Sequence, residues 1–191
     1  MKVLNRQYHR DQDRNQGREQ GFTLIELVIT IAIIAIIAAM AAPSMQRQIQ
    51  QAKIKNSAHI IEAALKEARI QSVITQKDIK VVLTDTSTDR NLKLFNVGDN
   101  TITATPQSTF NIDKSVTLGK LPTTLTAVSF GRDKKAYQGD TITDTTKMGQ
   151  NADGSTAAMG FSVCLGSGTT KYQVTVDPNS NITSQASGSC L

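Results

Sequence analysis

The apolar positions of this chain are gathered into one block near its start and then spread into two different rhythms. From Leu27 to Ala42 the sequence LVITIAIIAIIAAMAA holds a single polar residue, Thr30. Extended back to Phe22, the block is broken only by Thr23 and by one charge, Glu26. Those 21 residues would span about 31 Å as a helix, close to the hydrocarbon thickness of a bilayer. A core helix of a soluble domain carries a polar face, and this block has none, so it predicts a membrane-inserted helix. Pro43 follows, and it predicts a kink, because it lacks an N–H and crowds the preceding turn. Beyond it Ile54, Ala58, Ile61, Leu65 and Ala68 recur on one face of a helix, with Gln, Lys, Glu and Arg at most other positions. No Gly occurs between Gly21 and Gly98. Residues 22–76 therefore predict one long, kinked helix, apolar all round in its first half and amphipathic in its second.

From Ile79 the vocabulary changes to Thr, Val, Asp, Asn and Gly. Strand-like runs fall at Ile79–Thr84, Leu92–Val97, Thr101–Thr105, Ser115–Leu118, Leu125–Phe130, Ala157–Leu165 and Lys171–Val176. Turn signals separate them, among them Gly98-Asp99-Asn100, Asp153-Gly154 and Asp177-Pro178-Asn179. Tyr172-Gln173-Val174-Thr175-Val176 alternates apolar and polar residues, as a sheet buried on one face requires. The simplest packing lays that face on the stripe from Ile54 to Ala68. Residues 133–156 are polar and Gly-containing, which predicts a long exposed loop. The expected organisation is a leader at 1–21, a transmembrane helix at 22–42, its amphipathic continuation at 43–76 and a β-rich head at 77–191.

Charge adds an orientation. Residues 1–21 hold five Lys and Arg against three acids, and the rest of the chain holds 16 against 13. Lys2, Arg6, Arg10, Arg14 and Arg18 all precede the apolar block, so the positive-inside rule keeps the N-terminus in the cytoplasm and exports the remainder to the periplasm. A surplus of three charges over the rest of the chain is too mild for electrostatic steering to DNA.

An ordinary secretory signal is the first alternative, since Ala39-Met40-Ala41 imitates an A-x-A cleavage site. Glu26 argues against it. A carboxylate near a membrane helix centre costs about 2.5–3.5 kcal/mol on an insertion scale, less near the interface. A disposable signal has no use for such a residue. Gly21-Phe22-Thr23-Leu24-Ile25-Glu26, between a polar basic leader and the apolar block, resembles the prepilin-peptidase site of type IV pilins and type II secretion pseudopilins. The resemblance implies cleavage after Gly21, N-methylation of Phe22, and Glu26 as the fifth residue of the mature chain. The 21-residue leader is longer than many in that superfamily.

The chemistry of Glu26 follows without the name. A freed Phe22 amine, with an ordinary pKa of about 7.7–8.0, is substantially cationic at neutral pH. An anion and a cation in lipid attract more strongly as the dielectric falls. Glu26 of one subunit is therefore expected to meet the Phe22 amine of a neighbour, the alternative being that it snorkels to the cytoplasmic interface.

Cys164 and Cys190 are the two cysteines, and an even pair in an exported domain favours a disulfide over two buried free thiols. The exported part is similar to the FimT/FimU-type minor pilins and H-type minor pseudopilins (the GspH/FimT family) in Ala58–Ile74, Val128–Arg132, Phe161–Gly166 and Val174–Asn179. That likeness implies an α+β, pilin-like fold: the long N-terminal helix packed on an antiparallel, two-sheet, sandwich-like head. DNA-binding members carry Gly-Arg-x-Arg near the C-terminus, where this chain has Ser180–Gln185, and no basic residue follows Lys171. Arg132, Lys134 and Lys135, interrupted by Asp133, are the remaining candidates for phosphate contact. Three charges neutralise few phosphates, so direct nucleic-acid contact is not expected.

No catalytic constellation is legible, and no enzyme activity, cofactor, metal or small-molecule substrate is expected. His9 lies in the leader and His59 on the helix, without partners for a site. Gly166-Ser167-Gly168 lacks the Lys of a phosphate-binding loop. Asn151–Ser155 shares part of a Ca²⁺-loop pattern but lacks its terminal carboxylate and predicts an Asp-Gly turn. The expected function is that of a minor pilin in a tip or priming complex of a type IV pilus, with prepilin peptidase, other major and minor pilins and the inner membrane as partners. The alternatives are an H-type minor pseudopilin of a type II secretion system, a DNA-binding pilin and a secreted β protein.

Overall fold

A computed structural model describes residues 21–86, 89–140 and 159–190. The chain divides into two units at the Ala42–Pro43 boundary. Helix α1 covers Leu24–Thr75 and includes Pro43. In the first unit, Leu24–Ala41 is apolar and none of it is buried.

The second unit contains the remainder of α1 and nine described strands: β1 (Ile79–Asp85), β2 (Arg90–Asn96), β3 (Ser108–Asn111), β4 (Thr117–Leu121), β5 (Ala127–Phe130), β6 (Ala136–Gln138), β7 (Met159–Cys164), β8 (Thr170–Val176) and β9 (Ile182–Ser189). They form two antiparallel sheets, ordered β3-β2-β1-β5-β6 and β4-β7-β8-β9. The stripe on α1 seals both. Ile54, Ile61, Leu65 and Ala68 are fully buried in one cluster with Val81, Leu94 and Phe130 of the first sheet and Phe161, Val163 and Val174 of the second. The small residues Ala58 and Ala64 share that face and leave room for the sheets to approach. Glu62 and Lys66 (2.6 Å) staple the solvent side of α1 in the favourable acid-before-base order. Gln76 ends the helix in a left-handed conformation, φ 54°.

Register explains the burial alternation. Val81 faces Leu94 on one side and Val128 on the other, so three strands present one apolar row to α1. Lys80, one residue earlier, lies on the opposite face and is buried there. Its ammonium donates to the Asp99 carbonyl at 2.6 Å and lies 3.7 Å from Asp140.

Several expected elements are corrected. Thr101–Thr105 is a turn, because Asn100 captures the following backbone: its side chain accepts from Ile102 N–H and its carbonyl from Ala104 N–H. The strand expected at Ser115–Leu118 runs instead over Thr117–Leu121, since Asp113 holds Ser115 in a turn. Within the stretch expected to be a loop, Ala136–Gln138 forms β6, and Ala136 and Tyr137 are buried. Strands β3 and β9 are additional to those expected. The Asp153-Gly154 turn, Asn151–Ser155 and the leader before Gly21 lie outside the described residues.

Candidate processing and assembly site

The start of α1 is built by a local rule. Thr23 precedes the first helical residue, and its hydroxyl accepts the Glu26 backbone N–H at 3.3 Å while its carbonyl accepts from Leu27 at 3.2 Å. Thr-x-x-Glu is the capping-box pattern, with Thr23 as N-cap and Glu26 three residues on. Glu26 thus occupies the first turn, where the helix dipole favours an anion. Among the described residues its carboxylate has no ion-pair partner.

Upstream of the cap, Gly21 and Phe22 are non-helical and exposed, and a Cβ built on Gly21 meets nothing within 4 Å. Phe22 keeps 79% of its surface exposed. Gly21 and Phe22 thus form exposed, non-helical backbone directly before the helix N-cap. Downstream, Thr30 turns its hydroxyl back onto the Leu27 carbonyl at 2.8 Å, satisfying its donor inside the helix. Thr30 is the one polar side chain from Leu27 to Ala41, so no other side chain there needs a partner in apolar surroundings.

Residues 16–42 match the prokaryotic N-terminal methylation motif. The chain therefore carries the processing signature of prepilin-type proteins, and the match brackets Gly21, Phe22 and Glu26. Among solved structures it is similar to the type IV minor pilin FimU of Pseudomonas aeruginosa strain PAO1. In one crystal form the identity is 14%, with a TM-score of 0.53 over 72% of this chain and 95% of that one. In a second form the values are 15% and 0.52, over 72% and 99%. The minor pseudopilin EpsH from the type 2 secretion system of Vibrio cholerae shows 10% identity and a TM-score of 0.46 over 70% of this chain and 97% of that one. No curated protein matches the chain. The FimU likeness is one of fold, and it agrees with the expected pilin-like architecture of a long helix on two antiparallel sheets.

The other singled-out residues sit in the second unit. Cys164, at the end of β7, and Cys190, just past β9, form a disulfide with Cα atoms 5.7 Å apart. Arg132, Lys134 and Lys135 share the turn between β5 and β6, all three exposed. Their backbone is fixed by Asp78, which accepts Arg132 N–H at 3.0 Å, and by Ser180, which donates to the Lys134 carbonyl at 3.0 Å. Asp133 inside the same turn accepts from Lys135 N–H and from the Tyr137 hydroxyl. His59 is exposed on α1, 3.5 Å from Glu62. Lys66 first, then burial, the Lys66 charge and His59, act on Glu62, and the sum holds its carboxyl below the usual range. Thr23 was not expected to have a role, although Thr-x-x-Glu ahead of an apolar run is a readable signal.

Proposed function

We propose that this chain is a minor pilin: a subunit cut between Gly21 and Phe22 by prepilin peptidase, methylated on the new Phe22 amine, and held in the inner membrane by residues 22–42 until it enters a type IV pilus. Leader residues 1–21 stay on the cytoplasmic side and the 77–191 head on the periplasmic side, with 43–76 continuing the chain from anchor to head. The carrying observation is the run of uncovered apolar residues Leu24–Ala41 directly behind an open Gly21–Phe22 bond, its single charge at Glu26.

The pairing of Glu26 with a neighbour's Phe22 amine supplies the assembly step. Within its own chain the carboxylate sits on the first turn with no cation among the described residues, and the apolar surroundings strengthen any opposite charge brought to it. Direct nucleic-acid contact is outside this reading, because Arg132, Lys134 and Lys135 supply at most three cations around an acid.

N-terminal mass spectrometry of the mature protein tests the anchor: a methyl-Phe start is expected, and an Ala or Pro start near residue 42 overturns the reading. Glu26→Ala tests the pairing. The variant should still be cleaved and methylated but be depleted from sheared filaments, whereas wild-type incorporation refutes the pairing. Recovery of the chain only in envelope fractions that hold secretion-machine components would instead support the type II pseudopilin.

A further inference from the structure

Strand β9 ends the second sheet among the described residues, and it is built unlike the other three strand edges. Strands β3, β6 and β4 are short, at four, three and five residues, and β4 carries Lys120. Brevity and lysine are the usual means of discouraging edge pairing. Strand β9 has eight residues, ITSQASGS, with no charge and no proline. Its ladder with β8 is regular over residues 182–186 and shifts register beyond them, where Gly188 is left-handed at φ 67°, so the open edge is the 182–186 stretch.

The register shows which of its backbone groups are free for a partner. Asp177 N–H donates to the Asn181 carbonyl at 3.0 Å, closing the β8–β9 hairpin on a hydrogen-bonded pair. Antiparallel pairs alternate, so Thr175/Thr183 and Gln173/Gln185 exchange bonds with each other. The N–H and C=O groups of Ile182, Ser184 and Ala186 consequently point away from β8. The strand is also clamped at both ends. Asp177 accepts two bonds from Asn181 at one, and at the other Cys190 is disulfide-bonded to Cys164 while its N–H donates to the Thr169 carbonyl at 2.8 Å. An edge fixed in this way adds a strand without first having to be ordered.

From this we infer that β9 is an assembly edge, onto which an extended, uncharged strand of a different pilin subunit is added by backbone hydrogen bonding. The inference rests on the minor-pilin reading. The neutrality of β9 selects a partner strand that is likewise uncharged, since a charge laid against it would lose water without gaining a counterion. A different subunit is favoured over a second copy because β9 pairing with β9 makes a closed two-fold pair, whereas a filament grows through unlike surfaces. The other described edges a copy could offer, β3, β4 and β6, are short or carry Lys120.

The experiment places a photo-crosslinking amino acid at Gln185, which is exposed, in the full-length chain in its own cell. A cross-link to one other pilin, identified by mass spectrometry, is expected. Ser184→Pro removes an outward N–H without touching the β8 ladder and should reduce that product at least tenfold, while Ser184→Ala leaves it unchanged. Thr183→Lys with the cross-linker kept at Gln185 guards against misfolding of the proline variant, since Thr183 is exposed, and it should also reduce the product. A cross-link within the same chain, a homodimer, or a product indifferent to both substitutions overturns the inference. So does the absence of any product from filaments that contain the chain. Absence of the wild-type chain from filaments overturns the minor-pilin reading itself.

Discussion

The Thr23 hydroxyl accepts the Glu26 backbone N–H, so the residue two positions after Gly21 fixes the turn that presents the one charged side chain of the apolar block. Replacing a Thr N-cap by a residue without a side-chain acceptor costs about 0.5–2 kcal/mol of helix stability. Thr23→Val in detergent micelles should therefore speed amide exchange at Glu26 and Leu27, and Thr23→Ser should restore protection. Exchange that is the same in all three proteins would show that the cap does not hold the turn.

The disulfide ties the end of β9 to β7, joining cysteines 26 positions apart in sequence. Loss of a bridge in a small exported domain typically costs about 2–5 kcal/mol. Cys164→Ala, Cys190→Ala and the double variant should lower the thermal midpoint of the head by similar amounts. The double variant should be no worse than the worse single one, because one covalent link is lost in each case.

Gly160 of β7 lies opposite Thr175 of β8. A Cβ there would fall on the Val174 carbonyl oxygen, which is backbone and can move only with its strand. Overpacking of this kind costs about 1–3 kcal/mol, so Gly160→Ala should destabilise the head in urea titrations by that order. Gly119→Ala, whose Cβ would meet only the Ser162 side chain, most closely its rotatable hydroxyl, should cost clearly less.

Acid should weaken the head through Asp113 and Glu62. The Ser115 hydroxyl and backbone N–H bind the Asp113 carboxylate and, with Lys53 at 3.5 Å, outweigh burial to hold its pKa below the usual value. Glu62 is lowered as well, first by its hydrogen bond to Lys66. Depressed folded-state values mean that this stabilisation is complete above the unfolded values of about 4 and is lost as pH falls through the lower folded ones. Asp113→Asn should flatten that part of the stability–pH curve, measured by denaturant unfolding between pH 5 and about pH 2. An unchanged slope would remove Asp113 from the account.

The local order of residues was enough for the helix, its apolar block, the buried stripe from Ile54 to Ala68 and the N-terminal methylation motif. Each is written in a short repeat or a short motif, so near neighbours in sequence decide it. The same holds for the alternation in β8, where Val174 and Val176 are buried as their spacing requires. Thr101–Thr105 shows the limit of that logic: its β-branched residues favour a strand, but a side-chain acceptor one position earlier bends the backbone into a turn.

What only the tertiary structure decided is pairing across distance. A segment of Ser, Gln, Ala and Gly has little intrinsic preference for extended structure, yet Ile182–Ser189 is a strand because β8 offers it a backbone ladder and Cys164 anchors its far end. Ala136 and Tyr137 are buried in a polar stretch because β5 lies beside them. Sequence fixes such contacts only through residues far along the chain. Periodicity cannot carry that information, since it records which face of an element is apolar and not which other element will cover it.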